Sequence, residues 1–200
     1  ETVQSDKSWK CSYGPIRSSE FFNGEVYDAR MEKTGWMKAG YNDREWLNVT
    51  IKPATNENLV ATNAPLVKKH EIFRPLSYIK TPKGETVVDF GQNLVGWVQF
   101  RVKGSKGDTV KLTHAEVLDE KGNFYMDNIR SAKQEIKYVV KGEEKEQFEP
   151  HFTFQGFRYV KIEGPLDTTD LKAFALYSAM GETGTFTTSH PLVNQLQHNI

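Results

Sequence analysis

From Val88 to Arg158 the chain is a near-continuous series of segments in which apolar and polar residues alternate: VVDFGQNLVGWVQFRVKG, DTVKLTHAEVLD, EIKYVVKG and HFTFQGFRYVKIEG. A period of two puts successive side chains on opposite faces, so such segments bury an apolar face only as strands of a sheet. This excludes helical bundles and alternating βαβ units over the block and predicts a β-sandwich. Gly104-Ser105-Lys106-Gly107 is predicted as a hairpin turn between FRVK and DTVKLTHAEV, with further turns at Asp119–Asn123 and Lys141–Lys145. VKKHEIFRPLSYI is predicted as an edge strand, because Pro75 cannot donate to a ladder. Asp167–Met180 carries another strand and Thr183–Thr188 a short one. Ser189-His190-Pro191 then caps a terminal helix, LVNQLQHNI.

The flanking segments are less regular. Glu1 to about Ile51 contains Trp9, Trp36 and Trp46 among short segments broken by Gly14-Pro15, Asn23-Gly24 and Gly35, a loop-rich β pattern. Asn42 or Asp43 caps one short helical turn there. A sandwich of about 100 residues needs more strands than this segment holds. It is either the end of a domain whose earlier strands lie outside the chain, or a set of strands that completes the next domain. Lys52–Pro65, KPATNENLVATNAP, has linker composition.

Composition narrows the function classes. Lys plus Arg number 26 and Asp plus Glu 26, a formal net charge of zero that argues against nucleic acid as a partner. No apolar run approaches the roughly 20 residues that span a bilayer, so no membrane partner is expected. No signal peptide opens the chain. A mature secreted protein and an internal fragment would look alike, which leaves the compartment open. The single Cys11 permits no internal disulfide and no metal cluster, and is expected to be half-buried. Hydrophobic residues at 38% with aromatics at 12% supply large core anchors in a polar chain.

Three sets of residues are candidates for chemistry. Asp89-Phe90-Gly91-Gln92-Asn93 places an acid and two carboxamides at a strand end, suited to sugar hydroxyls or calcium. It suits equally a bulge or turn in which Gly91 and Asn93 take positive φ and Asp89 bonds local backbone, and the turn reading carries more weight. In Gly24–Arg30 alternation puts Glu25, Tyr27 and Ala29 on one face and Val26, Asp28 and Arg30 on the other. Asn23, Glu25 and Asp28 could hold an ion or a sugar, or Asp28 and Arg30 simply pair. His114 and Glu116 share a strand face without any accompanying nucleophile, so a His paired with a cross-strand acid is expected. Arg158 is expected to grip Asp89 or Glu116 bidentately, and Phe152, Phe154, Phe157 and Tyr159 to enter the core around Gly156. No pair of acids is singled out by spacing as a glycosidase couple.

The run from DFGQN to EIKYVVKG, followed by FEPHFTFQGFRYVKIEG, resembles the bacterial α-L-rhamnosidases of glycoside hydrolase family 78. GEVYDAR followed by GW is similar to the end of that family's amino-terminal domain, and GTFTTSHPLVNQLQHNI to its linker into the catalytic domain. The resemblance implies an all-β chain, an antiparallel β-sandwich of jelly-roll or concanavalin-like type, with a short C-terminal helix leading to a missing (α/α)6 barrel. It divides the chain into 1–62, the end of the N-terminal sandwich plus linker; 63–185, the central sandwich; and 186–200, a linker helix. The family removes terminal α-L-rhamnose with inversion using acids of that barrel, so no catalytic residue is expected here. The parent would be an enzyme and this chain an ancillary part of it. Its expected partners are the barrel of the same chain and a rhamnose-containing glycan, for which Asn23, Glu25 and Asp28 match the family's motif region and Asp89, Gln92 and Asn93 are carried over as candidates from the residue chemistry above. No cofactor is expected apart from calcium, which assists sugar binding in some relatives. Two other classes stand beside this: an interaction module presenting Trp97, Trp36 and Tyr125 to a protein, and a self-sufficient hydrolase.

Overall fold

The computed structural model describes residues 3–53 and 59–199; residues 54–58 of the predicted linker lie outside the described residues, as does Ile200 at the end of the predicted helix. Twelve strands, one α-helix and two 3₁₀ turns (Ala29–Met31 and Asp127–Ile129) are formed among them. The first are β1 (Lys10–Cys11), β2 (Ile16–Glu20), β3 (Gly24–Asp28), β4 (Leu47–Asn48), β5 (Val67–Phe73) and β6 (Ser77–Lys80). There follow β7 (Thr86–Val102), β8 (Thr109–Ala115), β9 (Glu135–Val139), β10 (Glu146–Phe148), β11 (Gln155–Glu163) and β12 (Leu166–Ser178), and then α1 (Pro191–His198). β1 and β4 make a separate two-stranded ribbon. The rest form one sheet along the path β2-β3-β9-β8-β11-β7-β12-β5, with β6 and β10 also paired to β7. All pairings are antiparallel except β3 with β9.

The sheet curls until its inner face closes on itself. The rings of Phe100 on β7 and Tyr138 on β9 meet at 6.2 Å although β8 and β11 lie between those strands. A flat sheet would hold strands so separated about 14 Å apart at the usual spacing of about 4.8 Å. Tyr27, Tyr138, Phe148 and Phe100 form an aromatic centre, surrounded by Val98, Val110, Leu112, Ile136, Phe157, Val160 and Leu171. Strands from both halves contribute to this cluster, which is what an antiparallel β-sandwich requires.

The seventeen-residue β7 is the spine. Along one side it pairs with β11 and β10, along the other with β6 and β12. Against β11 its register runs from Leu94↔Phe157 to Asp89↔Tyr159, so β7 advances five residues while β11 advances two. Phe90–Asn93 lie opposite the single Arg158, an enlarged bulge within the DFGQN motif. Gly91 there has φ +87°, a left-handed value that glycine adopts without cost.

Several sequence expectations change. GSKG is a turn but not a hairpin, because β11 sits between β7 and β8 and the loop crosses over it; turn chemistry fixes a reversal, not a partner. Thr183–Thr188 forms no strand, pairing with no segment among the described residues. Cys11 is exposed rather than half-buried, because β1 pairs only with the two-residue β4. Phe152 is 70% exposed, since it belongs to the loop before β11, where the alternation has not begun, while Phe157 is fully buried and Phe154 and Tyr159 half-buried. The single edge strand expected over VKKHEIFRPLSYI is two, interrupted around Pro75: β5 lies at the end of the sheet path, whereas β6 pairs with β7. The terminal helix starts at Pro191 with His190 at the cap. Its entry is fixed by Thr188, whose backbone and hydroxyl both donate to Asn194 Oδ1. Asn42 accepts from the Arg44 amide and Trp46 donates back to Asp43, a single turn as expected.

Phe157→Ala would empty a site that packs edge-on to both Phe90 and His114. The expected loss is about 3–5 kcal/mol, visible as a large drop in melting temperature; an unchanged melting temperature would contradict the placement of Phe157.

Candidate functional site

The six predicted sugar contacts fall on two strands, β3 with its preceding turn and β7, with β9, β8 and β11 between them. On β3 the alternation is as read: Glu25, Tyr27 and Ala29 face inward, Val26, Asp28 and Arg30 outward. Glu25 is completely buried. Its carboxylate accepts from Ser19 Oγ at 2.8 Å, the His151 ring Nδ1 at 2.9 Å, the His151 amide at 3.1 Å and the Phe152 amide at 3.2 Å. Burial pushes this carboxyl up, but those donors together outweigh it and hold it below the ordinary glutamate value. Asp28 takes two guanidinium bonds from Arg30, both at 2.8 Å, and the Arg30 amide at 3.1 Å. Asn23 is exposed in the turn, where its amide donates to Glu20. Glu25 and Asp28 therefore point to opposite faces and each spends its oxygens on protein N–H and O–H groups. They do not fit one calcium ion between them, and no group of three or more His, Cys, Asp or Glu suited to a metal occurs among the described residues.

On β7 the bulge carries Asp89, Gln92 and Asn93. Asp89 is nearly buried and accepts from Arg158 Nε and Nη2, both at 2.9 Å, and from the Gly91 amide at 2.7 Å. The guanidinium holds its carboxyl below the usual aspartate range, against the opposing effect of burial. Arg158 also lies over the Tyr159 ring at 5.0 Å. Of the two acids expected to meet Arg158 it is thus Asp89; Glu116 instead accepts from Asn93 Nδ2 at 3.0 Å and Asn128 Nδ2 at 3.5 Å. Gln92 and Asn93 are exposed on the same bulge. Only Gly91 takes positive φ there, not Asn93.

His114 departs from expectation. It is paired with no acid: its Nδ1 meets the Gln134 carbonyl at 2.9 Å in a fully buried setting. Burial pulls it down to about 4, so the ring is neutral near pH 7.

Sequence reasoning missed an aromatic-lined cleft. A cleft of about 440 Å³ is lined by Phe21, Trp97, Phe152, Phe154, His151 and Lys69, with Val67 and Leu176 beside them. Phe21 and Phe154 meet edge-on at 5.1 Å. The Lys69 ammonium lies 5.4 Å from the Trp97 ring centre and 4.7 Å from that of Phe174, and is ion-paired to Glu149, which also accepts from Gln99. The Trp97 indole N–H is buried without an acceptor among the described residues. Aromatic walls with a few convergent polar groups suit a small ligand that offers both an apolar face and hydroxyls. The cleft draws on β5, β7, β12, the β2–β3 turn and the loop before β11, so no local motif announces it. Glu25 stands behind its His151–Phe152 wall.

Arg158→Ala is expected to destabilise the fold by about 1–2 kcal/mol at neutral pH, because it leaves a nearly buried Asp89 with one donor while Arg158 itself is partly solvated. A carboxyl held low contributes above its unfolded value of about 3.9 and ceases to as pH falls through the folded value. The gap between wild-type and variant melting temperatures should therefore close on acidification below the ordinary aspartate range; thermal melts across pH test both points.

Comparison with known proteins agrees with this architecture along the whole chain. Residues 1–71 match the α-L-rhamnosidase N-terminal domain, and residues 79–177 the bacterial α-L-rhamnosidase concanavalin-like domain. The chain is 40% identical over 208 residues to an α-L-rhamnosidase of Streptomyces avermitilis, covering 100% of this chain and 20% of that protein. It superposes on the native α-L-rhamnosidase of Aspergillus terreus with a TM-score of 0.90 at 40% identity, over 98% of this chain and 23% of that one. On the Streptomyces avermitilis α-L-rhamnosidase complexed with L-rhamnose the TM-score is 0.88 at 38% identity, over 100% and 20% respectively. The chain thus spans about a fifth of the length of the relatives it matches. Its two successive domain matches and its fold show that the chain carries the N-terminal and concanavalin-like β domains of the bacterial α-L-rhamnosidase family.

Proposed function

We propose that this chain is a non-catalytic, ancillary part of an α-L-rhamnosidase, bracing a catalytic barrel and binding a rhamnose-containing carbohydrate. The observation that carries the reading is its end-to-end superposition on a stretch amounting to 20% of the Streptomyces avermitilis enzyme, itself a structure complexed with L-rhamnose. The rigid curled sheet suits a brace. The open aromatic cleft, and the exposed carboxamides of Asn23, Gln92 and Asn93, supply surfaces a sugar can use. Glu25, Asp28 and Asp89 would then act behind those surfaces, by fixing the backbone that presents them. The division into 1–62, 63–185 and 186–200 is proposed as one of sequence segments, which β2 and β3 bridge by joining the sheet of the central segment.

Calorimetric titration with L-rhamnose, once with calcium and once with chelator, tests the binding half of this proposal. Heat in either condition supports it, and heat confined to calcium adds a metal requirement. No heat in either, from a folded sample, overturns sugar binding and leaves the bracing role alone. Release of rhamnose from an aryl rhamnoside by this chain alone would overturn the non-catalytic reading.

A further inference from the structure

The loop of residues 149–154, which forms one wall of the cleft, is anchored chiefly to a single buried carboxylate. Glu25 has no solvent contact, yet it accepts from the His151 ring, the His151 amide and the Phe152 amide, all on two consecutive residues of one loop. Thr153 adds a hydroxyl bond to the Glu20 carbonyl at 3.0 Å, and Phe154 packs on Phe21. The loop is thereby fastened to the β2–β3 hairpin, 126 residues distant in sequence at the His151–Glu25 contact. The two partners differ in access: the carboxylate is sealed, whereas the His151 side chain is 44% exposed and open to solvent protons.

We propose that Glu25 and His151 form a pH-dependent latch, in which protonated His151 holds the Phe152–Phe154 wall of the cleft against the β2–β3 hairpin and loss of that proton loosens it. The surroundings favour the charged ring. β3 contributes Glu25 and Tyr27, whose ring stacks on His151 at 5.3 Å and 6°. Ser19 on β2 bonds Glu25, and Glu32, beyond the 3₁₀ turn Ala29–Met31, accepts from the Tyr27 hydroxyl and from Lys141. From the end of β10 come Phe148 and Glu149, the latter paired with Lys69 of β5. Lys69 and Lys141 are thus each matched by an acid, Lys68 lines the same cleft, and Glu25 is the carboxylate in direct contact with the ring. Glu25 holds His151 above the ordinary histidine value, partly offset by burial.

The sign follows from linkage. A histidine held high stabilises the loop fully below its unfolded value of about 6.5 and ceases to as pH rises through the folded one. Glu25, held low, contributes above the ordinary glutamate range and ceases to as pH falls through its folded value. The latch is shut between those limits and loosens on the alkaline side. There the neutral imidazole can still donate a hydrogen bond but no longer neutralises a sealed carboxylate. This device is independent of what the cleft binds.

The amides of His151 and Phe152 report on the latch directly, because both donate to Glu25. Their hydrogen-exchange protection, corrected for intrinsic rates and referred to core amides of β7, should be constant from pH 5.5 to 6.5 and fall several-fold by pH 9. In His151→Gln that pH dependence should vanish, and Glu25→Gln should lower protection at all pH values. Should Glu25→Gln fail to fold, the His151→Gln comparison still decides. Protection that holds to pH 9 in the wild type, a fall shared equally by the β7 amides, or the same fall persisting in His151→Gln would each overturn the proposal.

Discussion

The fold depends on one constraint: β7 must keep both of its edges paired for most of its length while serving two halves of a closing sheet. A seventeen-residue strand held flat cannot do this, since strands of such a sheet must bend and twist to face one another. The relief lies at Phe90–Asn93, where β7 carries surplus residues against β11. The surplus would leave a frayed, unpaired stretch were it not pinned. Asp89 does the pinning, taking the Gly91 amide from within the bulge and the Arg158 fork from the strand opposite. The two motifs that stand out in the sequence, DFGQN and FTFQGFRYV, are the two sides of this one joint.

Much of this was legible in the sequence because it is local or periodic. The shared face of Glu25, Tyr27 and Ala29, the edge position of β5, the Pro191 helix start and a bidentate grip by Arg158 on Asp89 or Glu116 all follow from alternation or from the fixed preferences of proline and arginine, while which face is inward and which acid is gripped do not. What the sequence withheld is pairing between distant segments. GSKG looks the same whether the chain turns back on its neighbour or crosses a third strand. Phe152 keeps the apolar alternation of its motif yet stands outside the sheet that would give it a core face.

The candidate site shows the same boundary more sharply. The acids of β3 are visible as acids, but whether a carboxylate is offered to a ligand or consumed by the fold depends on partners far along the chain. Glu25 meets His151, and His114 meets a backbone carbonyl at Gln134 rather than an acid. The aromatic cleft draws each wall from a different strand or loop, so no window of sequence contains it.

The one parallel pairing among the described residues, β3 against β9, bears on how the chain is assembled. Gly24 lies so close to the Glu135 carbonyl that a side chain there would collide with it, and the two strands share register from Gly24↔Glu135 to Asp28↔Val139. During vectorial synthesis the β2–β3 hairpin emerges early with its docking edge bare, and residues 135–139 must appear before it can seat. Contacts of such long sequence separation form slowly. The β2–β3 hairpin therefore waits on a strand far along the chain, though one made before β11 and β12, and the interval before it seats is when a chaperone or a neighbouring nascent chain has access to that edge.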